Sequence, residues 1–192
     1  MSRIADAPPT WRHPIVRASR WWAKRSYGVD AGPARITAHH PRVFMGYGML
    51  EMATEHSHKV DAKLKYLAAT RAAMVAGCEY CVDIGSELSR KVGVSDEQLM
   101  ELVRYRESHA FTEEERDVIE LGDCMTRTPV EVPDELFERL RARFDEEQIV
   151  ELVSAIAVEN YRARFNHTFD IEPDGFSEGK FCVRPEAVAA GS

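Results

Sequence analysis

Nothing in the 192-residue sequence approaches the run of about 18 apolar residues that a membrane-spanning helix needs, and its N-terminus has no continuous apolar signal-peptide core. Both absences point to a cytoplasmic protein. Glycine (11) and proline (9) are too scarce for a collagen-like or low-complexity chain, and 44% hydrophobic residues against 30% charged ones exclude a disordered one. Four cysteines are too few for a scaffold held together by disulfides. What is present is a length and composition suited to one compact domain with appended arms.

Charge is unevenly distributed. The net charge is −7, yet residues 1–25 hold six basic side chains against Asp6 alone, which leaves 19 basic against 31 acidic residues in the rest. A body of that sign repels nucleic acid and anionic membranes, so neither is an expected partner. The basic arm carries Trp11, Trp21 and Trp22. Aromatics beside cations suit a surface anchor, but such tryptophans more commonly pack a terminal helix onto the acidic body of the same or a neighbouring subunit.

Apolar spacing predicts helices throughout. The stretch Asp30-Ala31-Gly32-Pro33 reads as a turn, and Pro41 opens a helix with Val43, Phe44, Tyr47 and Leu50. Leu64, Leu67, Ala68, Met74 and Val75 share a face that also carries Arg71, whose guanidinium requires a carboxylate or carbonyl partner if buried. Gly77 and Gly93 bracket a further helix. Ser95 with Gln98, Thr112 with Glu115 and Asp145 with Gln148 are capping-box pairs at the starts of three more, and Pro133 opens another with Leu136, Phe137, Leu140 and Phe144. The longest helix carries Ile149, Leu152, Val153, Ile156, Ala157 and Tyr161, and near its end Asn160 and Arg164 share a face. No segment alternates with a period of two, so the fold class is all-α.

The chemistry centres on Cys78-Glu79-Tyr80-Cys81. At the start of a helix, partial positive charge and unpaired amides favour a thiolate, and one turn brings two sulfurs within disulfide reach. Zinc would need four ligands, and neither a second Cys-X-X-Cys nor well-spaced histidines are present, so no metal or other cofactor is expected beyond the redox-active pair itself. Two buried, inert cysteines are the plain alternative. Cys124 lies beside a core stripe, and Cys182 sits in a glycine-rich tail.

The run Val60-Asp61-Ala62-Lys63-Leu64-Lys65-Tyr66-Leu67-Ala68, then Ala76-Gly77-Cys78-Glu79-Tyr80-Cys81, then Lys91-Val92-Gly93-Val94-Ser95 resembles the core of the carboxymuconolactone decarboxylase and alkylhydroperoxidase D (AhpD-like) superfamily. Residues 111–171, with the run from Phe144 to Leu152 and Asn160-Tyr161-Arg162, resemble its longer, peroxidase-related members. The resemblance implies an AhpD-like helical bundle that assembles as an obligate oligomer, a trimer or, given the two-part chain, a dimer. It also implies a domain over 33–171 with its core motif at 60–95, flanked by an arm at 1–32 and a tail at 172–192.

For activity it implies thiol-dependent antioxidant chemistry, in which Cys81 attacks a hydroperoxide or protein disulfide, Cys78 resolves the product and a dithiol reduces the pair. The family pattern adds a glutamate twelve residues before the first cysteine and a histidine four after the second. Tyr66 and Gly85 stand there instead. A phenol is a weak base at neutral pH, so proton transfer or thiolate tuning falls to Tyr66, Arg71, Glu79 and Asp83 as candidates, with Glu87, His40, His56 and His58 behind them. The alternatives are a scaffold that has lost its catalysis and a lactone decarboxylase, although the decarboxylase branch generally lacks the cysteine pair.

Overall fold

The computed structural model describes residues 2–8, 14–27 and 31–177, and Trp11, the Trp22 side chain and Cys182 lie outside what it describes. Among the described residues there are helices and no strands. The helices are α1 (Pro14–Tyr27), α2 (Gly32–Thr37), α3 (Pro41–Glu55), α4 (Ala62–Val75), α5 (Glu79–Lys91), α6 (Asp96–Glu101), α7 (Glu113–Thr126), α8 (Asp134–Arg143) and α9 (Glu146–Thr168). All three capping boxes form, at the starts of α6, α7 and α9. Gly77 and Gly93 adopt φ of +71° and +93°, the left-handed conformation in which a Cβ is costly, and so end α4 and α5.

Helix α4 is the axis of the bundle, packing against α5, α7 and α9. Its apolar residues serve two cores. Leu67, Ala73 and Met74 join Cys78, Tyr80, Cys81, Val82, Leu99, Leu102, Tyr105, Ile119 and Ala163, while Leu64, Ala68 and Ala72 join Val118, Leu121, Leu136, Leu140, Leu152 and Ile156. α7 approaches closely because position 122 has no side chain: a Cβ on Gly122 would lie 2.7 Å from the Ala68 carbonyl oxygen.

Arg71 finds the partners its burial demands. Its Nε donates to Asp123 on α7, and its Nη1 donates to the carbonyls of Leu102 and Val103. Tyr105 completes the arrangement, donating its hydroxyl to Asp123 Oδ2 at 3.1 Å and lying under the guanidinium at 5.4 Å. Cys124, beside Asp123, is a free and half-buried thiol packed against the second core.

Three local readings need correction. Gly32 starts a helix rather than sitting in a turn, because Pro33 fits the first helical turn and Ile36, 3% exposed, anchors the segment in the core. α3 forms as the spacing predicts but buries none of its residues, and Met45, Met49 and Met52 form an outward stripe, 45%, 70% and 63% exposed. On α9 the buried face is rotated from the purely apolar one, so that Tyr161 and Ala157 are exposed while Glu159, Asn160 and Asn166 are buried.

The described N-terminal segment, residues 2–8, is tied to α2 and to the end of α9. Arg3 N–H donates to the Phe169 carbonyl, and Ala7 N–H to that of Arg35. Trp21, on α1, is 66% exposed.

Candidate cysteine site

Cys78 is the N-cap of α5 and Cys81 lies in its first turn. The chain stops helically at Gly77 and restarts at Glu79. Cys78 N–H is satisfied by the Ala73 carbonyl at 3.1 Å, which ties the start of α5 to the end of α4. The two cysteines are joined as a disulfide with Cα atoms 5.3 Å apart. Both are deeply buried, in contact with the first core.

Each sulfur has its own donor. Cys81 N–H points at Cys78 Sγ, 3.2 Å away, as a side-chain cap. Asn166, from the last turns of α9, directs its Nδ2 at Cys81 Sγ at 3.4 Å and more distantly at Cys78 Sγ at 3.9 Å. These donors, added to the positive end of α5, are what a thiolate at either position would use. Asn166 itself is 3% exposed, and its Oδ1 has no hydrogen-bond partner among the described residues.

The candidates for proton transfer fall in different places. Glu79 is exposed on the first turn of α5. Asp83 is buried and committed to the C-terminal strap, its carboxylate accepting the N–H groups of Phe176 (2.9 Å) and Ser177 (2.8 Å) while Ser177 Oγ donates to its carbonyl. Phe176 meets the Tyr80 ring edge-on, so the strap covers the outer side of the Cys-X-X-Cys turn. Arg71 is held by Asp123 as described above. Glu87 pairs with Arg90 and Lys91 at 4.0 Å. His40 caps α3, His56 lies against the Met52 carbonyl at the end of that helix, and His58 is exposed.

Position 85 is tight. A Cβ on Gly85 would lie 3.1 Å from Thr70 Oγ1, because α5 packs closely on α4 where Thr70 and Ser89 share a hydrogen bond of 3.0 Å. A side chain there would need Thr70 Oγ1 to give by a few tenths of an ångström.

Tyr66 belongs to a second polar group. Burial pushes its phenol up, and the charges it senses are Arg162, Glu55, Glu51 and Glu159. Arg162 Nε donates to Glu51 Oε1 at 2.7 Å, its Nη2 donates to Glu51 Oε2, and its Nη1 donates to Glu159 Oε2 at 3.0 Å. Tyr47 joins from α3, its phenol pushed well up by burial beside Glu51. Neither tyrosine is a base at neutral pH.

Apolar periodicity missed Glu159 and Asn166. A signal was available: seven and fourteen residues after Leu152, they continue its helical stripe with polar side chains that the core position would otherwise exclude. Asn160 and Arg164 do share a face, and they bond each other, Arg164 Nη1 to Asn160 Oδ1 at 2.6 Å, while Asn160 Nδ2 donates to Thr126 Oγ1.

Among the described residues no helix is long and apolar enough to cross a membrane, and no cluster of three or more His, Cys, Asp or Glu side chains is placed to hold a metal ion. The family model of the carboxymuconolactone decarboxylase family matches residues 38–123. The uncharacterized protein YnjA of Escherichia coli is 33% identical over 171 residues, 88% of this chain and 93% of its own. The fold is shared with an uncharacterized peroxidase-related protein with an alkylhydroperoxidase AhpD core from Ralstonia eutropha (TM-score 0.79, 17% identity, 95% of this chain and 98% of that one). It is shared equally with the debrominase Bmp8 (TM-score 0.78, 18% identity, 98% and 97%). The chain belongs to the carboxymuconolactone decarboxylase and AhpD-like superfamily.

Proposed function

We propose that the protein is a thiol-dependent peroxidase in antioxidant defence, with Cys81 the attacking and Cys78 the resolving residue. The observation that carries the proposal is the pairing of a disulfide-competent Cys-X-X-Cys at a helix N-terminus with a buried amide donor, Asn166, nearer to Cys81 Sγ than to Cys78 Sγ. In the reduced enzyme the Cys81 thiolate attacks the terminal oxygen of a hydroperoxide. The S–O bond forms, the O–O bond breaks, the sulfur is oxidised by two electrons and the alkoxide leaves as the alcohol after taking up a proton. Cys78 then displaces hydroxide from the sulfenic acid, closing the disulfide seen here and releasing water. A dithiol reductant returns both cysteines to thiols by exchange.

The remaining groups support this centre. Asp83 fixes the strap over the turn, and Arg71 braces α4 against α7, so both act on the position of the pair. We infer a homo-oligomer as the working form, since the Met45, Met49 and Met52 stripe leaves apolar surface on the outer side of α3 that a second copy would cover.

Purified full-length protein should turn over cumene hydroperoxide with dithiothreitol as electron donor, and Cys81→Ser should abolish that turnover. Retention of full turnover by Cys81→Ser would exclude the mechanism.

A further inference from the structure

The disulfide is closed to solvent. Cys78 and Cys81 are 3% and 4% exposed, and Tyr80 between them is 4% exposed. Thiol–disulfide exchange brings an incoming thiolate onto one sulfur, so its rate depends on access as much as on thiol reactivity. Groups this deeply buried react when the structure around them opens locally. What holds the Cys-X-X-Cys turn shut therefore sets how fast the pair is reduced. On two sides the turn meets the body of the bundle: Cys78 N–H is bonded to Ala73 on α4, and Asn166 on α9 reaches the sulfurs. Both helices are built into the two cores, α4 through Leu67 and Ala72, α9 through Ile156 and Ala163, and neither can swing away without breaking them.

The remaining side is the strap, residues 170–177. It leaves the end of α9 with Ile171 N–H bonded to the Asn166 carbonyl at 3.0 Å. Its Asp174 accepts the Gly32 N–H at 3.0 Å and pairs with Arg35 at 3.4 Å, which fastens α2 to it. The Tyr80 hydroxyl is turned to that same carboxylate, and the Phe176 ring meets the Tyr80 ring edge-on with centroids 6.1 Å apart. Two residues after Cys81, Asp83 takes the Phe176 and Ser177 N–H groups. The strap is thus latched at two carboxylates, Asp174 and Asp83, and grips the middle of the turn through Tyr80. Apart from Ile171 and Phe176, which pack on the first core, its attachments are hydrogen bonds and an ion pair. A segment held in this way opens at lower cost than a packed core does.

We infer that the strap is a gate on reduction of the Cys78–Cys81 disulfide: it lifts from Tyr80 and Asp83 before the first turn of α5 opens to a dithiol. The inference deepens the peroxidase proposal, on which it rests for the cycling of the pair, by naming what controls the reductive half of the cycle. With the strap lifted, one thiolate of the dithiol bonds to one cysteine sulfur as the Cys78–Cys81 bond breaks. Its second thiolate then displaces that cysteine. The dithiol leaves as its own disulfide, oxidised by two electrons, and both cysteines end as thiols carrying the two protons it brought.

The test follows reduction of the oxidised full-length protein by excess dithiothreitol near neutral pH, without peroxide, with samples quenched in acid, alkylated and read by mass spectrometry. Asp174→Asn and Phe176→Ala loosen the strap from outside α5. Each should speed reduction roughly 3- to 10-fold. Leu140→Ala, in the second core, lowers thermal stability without touching the strap and should leave the rate unchanged. Unchanged or slower reduction in either strap variant would overturn the gate. Equal acceleration in Leu140→Ala would also overturn it, by making global unfolding the opening step. Full turnover of cumene hydroperoxide by Cys81→Ser would instead remove the peroxidase proposal, and it is distinguishable because no peroxide enters the reduction measurement.

Discussion

Asn166 Nδ2 lies 3.4 Å from Cys81 Sγ and 3.9 Å from Cys78 Sγ, so the end of α9 distinguishes the two sulfurs of the pair. Cys78 already has the Cys81 N–H as a donor. Cys81 has none from its own turn among the hydrogen bonds described, and Asn166 supplies it. A hydrogen bond to a charged partner contributes about 1.5–3 kcal/mol, equivalent to roughly one or two pH units on the thiol. Asn166→Ala should therefore raise the pH midpoint for alkylation of Cys81 by about that amount, with Cys78 much less affected. Mass-spectrometric rates of iodoacetamide labelling in the reduced protein measure this directly, and an equal shift at both cysteines would remove the proposed selectivity.

Arg71 and Asp123 form a buried pair, with side chains 6% and 1% exposed. Asp123→Ala strands the guanidinium between α4 and the Leu102 and Val103 carbonyls, and the expected loss is about 3–5 kcal/mol in chemical denaturation. The double variant Arg71→Met with Asp123→Leu should recover much of it, because no uncompensated charge is then left behind.

Glu159 makes stability depend on pH with a definite sign. Its folded pKa lies above the ordinary carboxyl value of 4.5, at about 7, so the folded state binds the extra proton. The associated stability is fully present below about pH 4.5 and is lost as the pH rises through 7. Glu159→Gln cannot lose that proton. Relative to the unaltered protein, its melting temperature should rise between pH 5 and pH 8, and a pH-independent difference would show that Glu159 is ionised throughout.

The outward methionines of α3 carry the expectation of self-association. Met49→Glu together with Met52→Glu should shift the protein to a monomer in sedimentation velocity without unfolding it, since both side chains are mostly exposed. An unchanged sedimentation coefficient would place any interface elsewhere.

How much of this was legible beforehand depended on the range of the interaction. Capping boxes, helix-ending glycines and apolar stripes are set by neighbours within a turn or two, and α5, α6, α7 and α9 start or end where Gly93, Ser95, Thr112 and Asp145 indicate. The need of Arg71 for a partner was visible, but the identity of Asp123, 52 residues away, was not. The cysteine pair could be read from its spacing. Asn166 could be read only as a polar residue on the buried stripe of α9; its reach to the sulfurs, across 85 to 88 residues of sequence, could not. α3 misled for the opposite reason: its apolar residues satisfy a helical pattern, yet none is fully buried and Met45, Met49 and Met52 face outward.

The central claim is tested most directly by adding one equivalent of cumene hydroperoxide to the fully reduced protein, with a dimedone-type sulfenic acid trap, and mapping the products by mass spectrometry. The unaltered protein should yield the Cys78–Cys81 disulfide and one equivalent of alcohol. Cys78→Ser should accumulate trapped sulfenic acid at Cys81, and Cys81→Ser should leave the peroxide intact. Trapping at Cys78, or peroxide consumption by Cys81→Ser at the rate of the unaltered protein, would contradict the account.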